Sequence, residues 1–258
     1  MIGKIFINKQ FYKLNRIFLI IIFLILTGST PLEDNNHFMS GERLKFVIYY
    51  GPINGGYVDS ELRITEFAGN KVYHSRLLGK TIGLVDKLYK VRDEYQSYFD
   101  TLTILPYKSI RDISEGRYKK YDHVYYDHAN LKVKNHLNEV FDVPEDIRDM
   151  VSVFYYVRNI DFSSLEIGHI IKIVTFFDNE LFPFDIRYKG IETIKTKMGS
   201  YRCIKLVPFV EPGRIFEKED DMTIYLSDDT NRVPIRVEFI LKVGSIKCDL
   251  IEYSGLKN

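Results

Sequence analysis

Glu42-Arg43-Leu44-Lys45-Phe46-Val47-Ile48-Tyr49-Tyr50-Gly51-Pro52-Ile53-Asn54-Gly55-Gly56 decides the fold class. Strand side chains alternate between faces, so Leu44, Phe46, Ile48 and Tyr50 share one face while Arg43 and Lys45 take the other. Residues 51–56 then read as a turn, because Gly and Asn accept positive φ and Pro fixes its own. Residues 57–67 answer with Val58, Leu62 and Ile64 on one face, and Gly69-Asn70 turns the chain into residues 71–78. Successive period-two segments joined by turns predict an antiparallel meander.

The same pattern predicts strands over 89–100, 104–112, 117–127 and 131–137, with a hairpin turn at 125–130. After 159–168 it resumes over 169–177, 184–190, 191–197, 200–210, 222–227, 233–243 and 245–253, with tight connections at 228–232 and 243–245. Two segments read as helix. Leu84, Val85 and Leu88 sit at helical spacing, which predicts a short helix near 81–88. Asp142 precedes Pro144, Glu145 and Asp146, a grouping favourable at a helix start. Ile147, Met150, Val151, Phe154 and Arg158 then fall on one stripe, which predicts an amphipathic helix near 144–158. The expected fold is mainly β: a large curved antiparallel sheet, a meander forming a half-barrel or open barrel. No fixed-period repeat and no Pro/Gly/Ser-rich linker divides residues 32–258, which read as one domain. Residues 32–40 read as a short flexible lead-in.

The first 31 residues have a different character. Lys4, Lys9, Lys13 and Arg16 precede ten unbroken apolar residues, Ile17 to Leu26, and Thr27-Gly28-Ser29-Thr30-Pro31 follows. A basic start, a short apolar core and a small-residue exit read as a secretory signal peptide, with cleavage near Ser29–Thr30. Ten residues cover about half of a hydrocarbon core of about 30 Å. No cysteine stands near the exit to accept a lipid, so the expectation is release into the periplasm rather than lipid anchoring.

The whole chain has 36 Lys+Arg and 35 Asp+Glu. The leader holds four of the cations and none of the acids, so residues 32–258 carry 32 against 35, a net charge of −3. That balance argues against a general nucleic-acid binder, which needs a basic excess or stripe. With 19 Tyr, 18 Phe and no Trp, the aromatics suit half-buried pleated surfaces. Cys203 and Cys248 are too few for a disulfide scaffold; both fall on late predicted strands and would pair only if those strands were neighbours.

The search for chemistry yields little. None of the six histidines forms a helical zinc pair and no Cys-x-x-Cys exists. His123 and His128 flank a predicted turn, where exposed hairpin residues are the simpler reading. Asp228-Asp229-Thr230-Asn231 lacks the Gly and distal Glu of a calcium loop and reads as a turn. Glu217-Lys218-Glu219-Asp220-Asp221 reads as a solvated acidic loop. No nucleophile elbow or phosphate-binding glycine loop is present. No catalytic residue, metal or cofactor is therefore expected.

Several stretches together resemble an exported bacterial family, domain-of-unknown-function family 3108. They are Gly41-Glu42-Arg43-Leu44-Lys45-Phe46 with Tyr50 to Gly56; Tyr89-Lys90-Val91-Arg92-Asp93; Ser97-Tyr98-Phe99-Asp100; Leu105-Pro106; Asp149 to Arg158; Gly199 to Leu206; Leu226-Ser227-Asp228-Asp229; and Arg232 to Val237. One departure is Tyr225, where the family often shows Trp. The resemblance implies an exported, mainly antiparallel β protein and no activity. The Lys/Ile/Tyr/Asn-rich style is similar to that of a Gram-negative Bacteroidetes member. At fold level, a long meander with one amphipathic helix is similar to periplasmic lipoprotein carriers. The first functional expectation is a module that binds or carries a lipid or lipoprotein acyl chain. A structural or protein-interaction component of the cell envelope is the second, and a hydrolase the third.

Overall fold

A computed structural model describes residues 36–209, 218, 220–242 and 244–257. The predicted leader and the Ser29–Thr30 cleavage site lie outside the described residues. Strands β1 (Arg43–Tyr50), β2 (Ile53–Phe67), β3 (Asn70–Thr81), β4 (Arg92–Asp100), β5 (Pro106–Glu115), β6 (Tyr118–Asp127), β7 (Lys132–Asn135) and β8 (Val140–Asp142) form a meander. Each pairs antiparallel with the next. The chain then crosses to β9 (Ile170–Ile171), at the opposite edge of the sheet. It returns through β12 (Ile186–Thr196), β13 (Gly199–Pro208), β14 (Met222–Ser227) and β15 (Pro234–Ile240) to β16 (Ser245–Ser254), which pairs with β1. Two meanders therefore meet at the β1–β16 seam in one antiparallel sheet of 14 strands, open between β8 and β9. Strands β10 (Val174–Phe177) and β11 (Glu180–Pro183) form a separate hairpin.

The crossover between the two edges carries the main helix, and it packs on both meanders. Helix α1 (Gly83–Leu88) links β3 to β4, and α2 (Ser152–Arg158) lies in the crossover. Val151 and Tyr155 pack with Leu62, Tyr73 and Phe99 of the first meander and with Phe38, which precedes it. Val153 and Val157 pack with Ile186, Tyr188, Ile204, Leu206, Ile224 and Leu226 of the second. Each such side chain gains about 1.5–3 kcal/mol on full burial, so α2 ties the two inner faces together.

Helix α2 is about half the predicted length. The segment 144–151 is committed elsewhere. Asp146 has φ +59, and Arg148 forms a bridge with Thr175 of β10. The Arg148 guanidinium donates to the Ile104 carbonyl at 2.8 Å and lies 3.8 Å from the Tyr156 ring centre. The helix start is set by Asp149, whose Oδ1 accepts from the N–H groups of Val151 and Ser152 at 2.7 and 2.9 Å, donors that a first turn leaves without partners. Helix propensity loses here to a better set of tertiary hydrogen bonds.

Other sequence readings also shift. Residues 36–40 are anchored rather than flexible: Phe38 is fully buried, edge-on to Tyr73 and Tyr155. The expected break near Gly190 is a bulge inside the single strand β12, where Gly190 has φ +87 and the register shifts between Tyr188 and Ile191. The segment 169–177 divides into β9 and β10, and neither β8 nor β11 was expected.

Candidate functional site

The concave face is filled at one end and open at the other. At the filled end, Glu42 and Arg158 are buried together. Arg158 Nη1 and Nη2 each donate to the Glu42 carboxylate at 2.7 Å. The same guanidinium donates to the Asn231 and His37 carbonyls at 2.9 and 3.2 Å. One side chain from the last turn of α2 thus joins the start of β1, the 228–233 turn and the 36–40 segment.

Beyond this lock the inner face is lined but not filled. A cavity of about 150 Å³ lies against Leu44, Phe46, Phe154, Tyr155, Val237 and Cys248. A larger one, about 840 Å³, lies against Ile48, Tyr50, Ile53, Val85, Tyr95, Phe239 and Ile246. Val58 and Leu77 line both, so the two are neighbours. Most of these residues stand on the strands, while Phe154 and Tyr155 come from α2 and Val85 from α1. One glycine shapes the wall. A Cβ on Gly56 would come within 2.7 Å of the Lys80 carbonyl; β2 approaches β3 this closely only without a side chain there.

Polar side chains at the cavities include Tyr155 and Arg158 at the smaller one and Lys80, Thr81 and Asp93 at the larger one. Tyr155 Oη shares a hydrogen bond with Ser75 at 3.1 Å, and burial pushes its pKa up to about 12. At the mouth, Thr81 Oγ1 donates to Asp86 at 2.8 Å and Arg92 Nη1 donates to it at 2.7 Å. These bonds lower the Asp86 pKa, that from Arg92 most, and hold α1 in place.

The two cysteines do not pair. Cys203 on β13 and Cys248 on β16 are free thiols, and β14 and β15 stand between their strands. Three strand spacings are about 14 Å, far beyond disulfide reach. Burial pushes both thiols up to about 12, so they behave as small apolar residues.

A polar cluster lies under the first meander. Arg111 donates to Asp122 at 3.1 Å and also to Asp178, and His136 Nδ1 lies 2.7 Å from Asp122. Nearby, Ser97 donates to the buried Asp149 at 2.5 Å. The enclosed space is about 20 Å³, room for about one water and not for a substrate. His123 and His128 are not brought together: His128 Nε2 is 2.8 Å from the Pro106 carbonyl, while His123 lies edge-on to Tyr121 and Tyr125. No metal-binding group of three or more His, Cys, Asp or Glu occurs among the described residues. Asp229 Oδ1 accepts from Asn231 N–H and Arg232 N–H at 2.9 and 3.0 Å, so residues 228–232 are the expected turn. Of the acidic run, Glu217 and Glu219 lie outside the described residues. Asp221 is buried and accepts from the Lys218 N–H at 2.8 Å, which corrects the solvated reading there. Tyr225 is buried beneath Lys205, so the aromatic packing is retained at the position where Trp is frequent.

Residues 45–251 match the family model described as a protein of unknown function, DUF3108. No curated protein matches the chain. Among solved structures, a β-barrel-like protein of domain of unknown function DUF1849 from Brucella abortus is similar. It has 8% identity and a TM-score of 0.57, over 85% of this chain and 99% of that one. A DUF1089 family protein from Pseudomonas aeruginosa shares 12% identity with a TM-score of 0.34, over 77% and 90%. The first likeness is one of fold alone, and the second is too distant to support more.

Proposed function

We propose that this chain, which belongs to the DUF3108 family, is an exported binding protein that holds a hydrophobic ligand, the acyl chain of a lipid or lipoprotein, in the cavity of its curved sheet. The observation that carries this reading is the pair of neighbouring apolar spaces of about 840 and about 150 Å³. Ligand sites typically span about 300–1,000 Å³ with apolar walls and few polar groups. A chain whose only task was to fold would gain by filling that space, because apolar voids cost stability. The buried Glu42–Arg158 pair closes the far end, so a ligand enters past α1. The proposal is of binding and not of catalysis. The basic start and short apolar run of residues 1–31 support export, and no helix among the described residues is long and apolar enough to cross a membrane.

The test is native mass spectrometry of purified residues 32–258, together with titration of a fluorescent fatty acid. Co-purifying lipid, or saturable uptake competed by unlabelled fatty acid, is the expected result. Ligand-free protein that takes up no probe would overturn the reading. It would move weight to an interaction role in the envelope.

A further inference from the structure

We infer that the α1 mouth of the cavity docks on an anionic phospholipid bilayer, with Leu84 and Leu88 entering the acyl layer. This inference rests on the cavity reading for its purpose, while its evidence lies on the outer surface.

Helix α1 has no buried residue. Leu84 is 69% exposed, and Leu88, at 78%, is the most exposed large apolar side chain among the described residues. The two are four residues apart and so share a face of the helix. Tyr50, Ile53 and Tyr89 are exposed as well, at 42, 56 and 51%, and Tyr50, Ile53 and the adjacent Val85 line the cavity. The exposed apolar surface is therefore continuous with the apolar interior. A helix that adds nothing to the core is nevertheless held firmly, through Thr81, Asp86 and Arg92. Contiguous exposed apolar surface of this kind marks a contact site.

Charge selects the partner. Residues 80–92 contain Lys80, Lys87, Lys90 and Arg92 against Asp86, while Asp93 lines the cavity and lies beside Glu115. Arg92 pairs with Asp86 and Lys80 with Asp59, while Lys87 and Lys90 are exposed and form no ion pair among the described residues. These two free cations stand on a chain whose residues 32–258 carry a net −3. Exposed aliphatic residues flanked by lysines suit the interface of an anionic bilayer, where apolar insertion and headgroup attraction add. A second copy would bring the unpaired Lys87 and Lys90 of two chains together. A bilayer would also supply the acyl chain directly to the apolar wall, without passage through water.

The experiment is co-sedimentation of residues 32–258 with phosphatidylglycerol vesicles and with phosphatidylcholine vesicles. The wild-type chain is expected to bind the anionic vesicles and to lose binding as salt is raised. Neutralising Lys87 or Lys90 is expected to weaken binding about fivefold each. The Leu84→Asp/Leu88→Asp variant is expected to stay in the supernatant yet to take up fluorescent fatty acid from solution as the wild type does. Both substitutions are at exposed positions, and unchanged thermal unfolding verifies folding. Equal binding to both vesicle types, or vesicle binding by the double variant, would overturn the docking inference. So would a dimer that the double variant disperses without any vesicle binding. A chain that binds anionic vesicles through Leu84 and Leu88 but takes up no fatty acid would sustain the docking inference and overturn the cavity reading alone.

Discussion

On the α2 side of the concave face, Phe38, Tyr73, Phe99 and Tyr155 pack ring against ring, and Glu42 and Arg158 are buried beside them. On the α1 side, the same alternating strands present Ile48, Leu77 and Phe239 to about 840 Å³ of space. The strands do not distinguish the two ends; β1 to β4 run through both. What differs is the cover. The crossover that joins β8 to β9 lays α2 across one end, and residues 36–40 fill the remaining gap there. At the other end the cover, among the described residues, is α1, six residues that bury nothing. A curved sheet of this width makes a trough, and the chain supplies filling for part of it.

The largest expected effect breaks the filled end. Glu42→Ala leaves the Arg158 guanidinium buried without its carboxylate, and loss of one partner of a buried pair costs about 3–5 kcal/mol. Urea denaturation of the variant is expected to show a correspondingly lower midpoint.

A matched pair of enlargements tests the contrast itself. Val153 is fully buried in the α2 core, so Val153→Phe overpacks it and is expected to cost about 1–3 kcal/mol. Val58 lines both cavities, so Val58→Phe has room. It is expected to stay within about 0.5 kcal/mol of wild type, while fatty-acid affinity falls. Equal destabilisation by both variants would show that the space is not open in solution.

Asp149 offers a pH-dependent probe of the α2 start. Burial raises its pKa, against the hydrogen bonds from Ser97, Ser152 and Val151. An aspartate raised on folding binds its proton more tightly in the folded chain. Its ionisation therefore opposes folding as pH rises from the ordinary aspartate value, about 3.9, through the raised one. Asp149→Asn keeps an acceptor for the helix and removes the buried charge. The stability of this variant relative to wild type is expected to improve over that window, and denaturant midpoints measured across it would show a flat difference if burial were not the cause.

The smallest effect belongs to the outer surface. Lys197 Nζ donates to Asn54 at 2.6 Å and stands 4.5 Å over the Tyr49 ring, tying the β12–β13 hairpin tip to β1 and β2. Lys197→Ala removes an exposed contact and is expected to cost less than about 1 kcal/mol, with fatty-acid uptake unchanged. A comparable loss to that of Glu42→Ala would mean that the outer clasp, and not the inner lock, holds the sheet curved.

The β class was legible because it depends on local alternation. In 42–50 and 57–67 the alternation marks strands, although Val47 is buried beside Phe46 and Tyr50 and Ile64 are exposed, with register shifts at Lys45/Phe46 and Ile48/Tyr49; β14 was read with its observed ends at Met222 and Ser227. The short helix near Leu84–Leu88 was legible for the same reason at helical spacing. Asp149 to Arg158 could be read as helix, but not its start, because the hydrogen bonds that stop 144–151 from joining it come from Ile104 and Val174. No local pattern encodes a partner more than twenty residues away.

The candidate site divides in the same manner. By itself the sequence determined that these segments are strands with alternating faces, but not which side chains are buried, as Val47, Tyr50 and Ile64 show. Only the tertiary structure decided whether those side chains meet each other or face empty space. Sequence reasoning placed Arg158 on the helix stripe without its partner Glu42, and Leu84 and Leu88 in a helix without revealing that they remain exposed. Both outcomes depend on where the crossover lies on the trough, and that is a long-range packing choice made across a sheet whose edges are far apart in sequence.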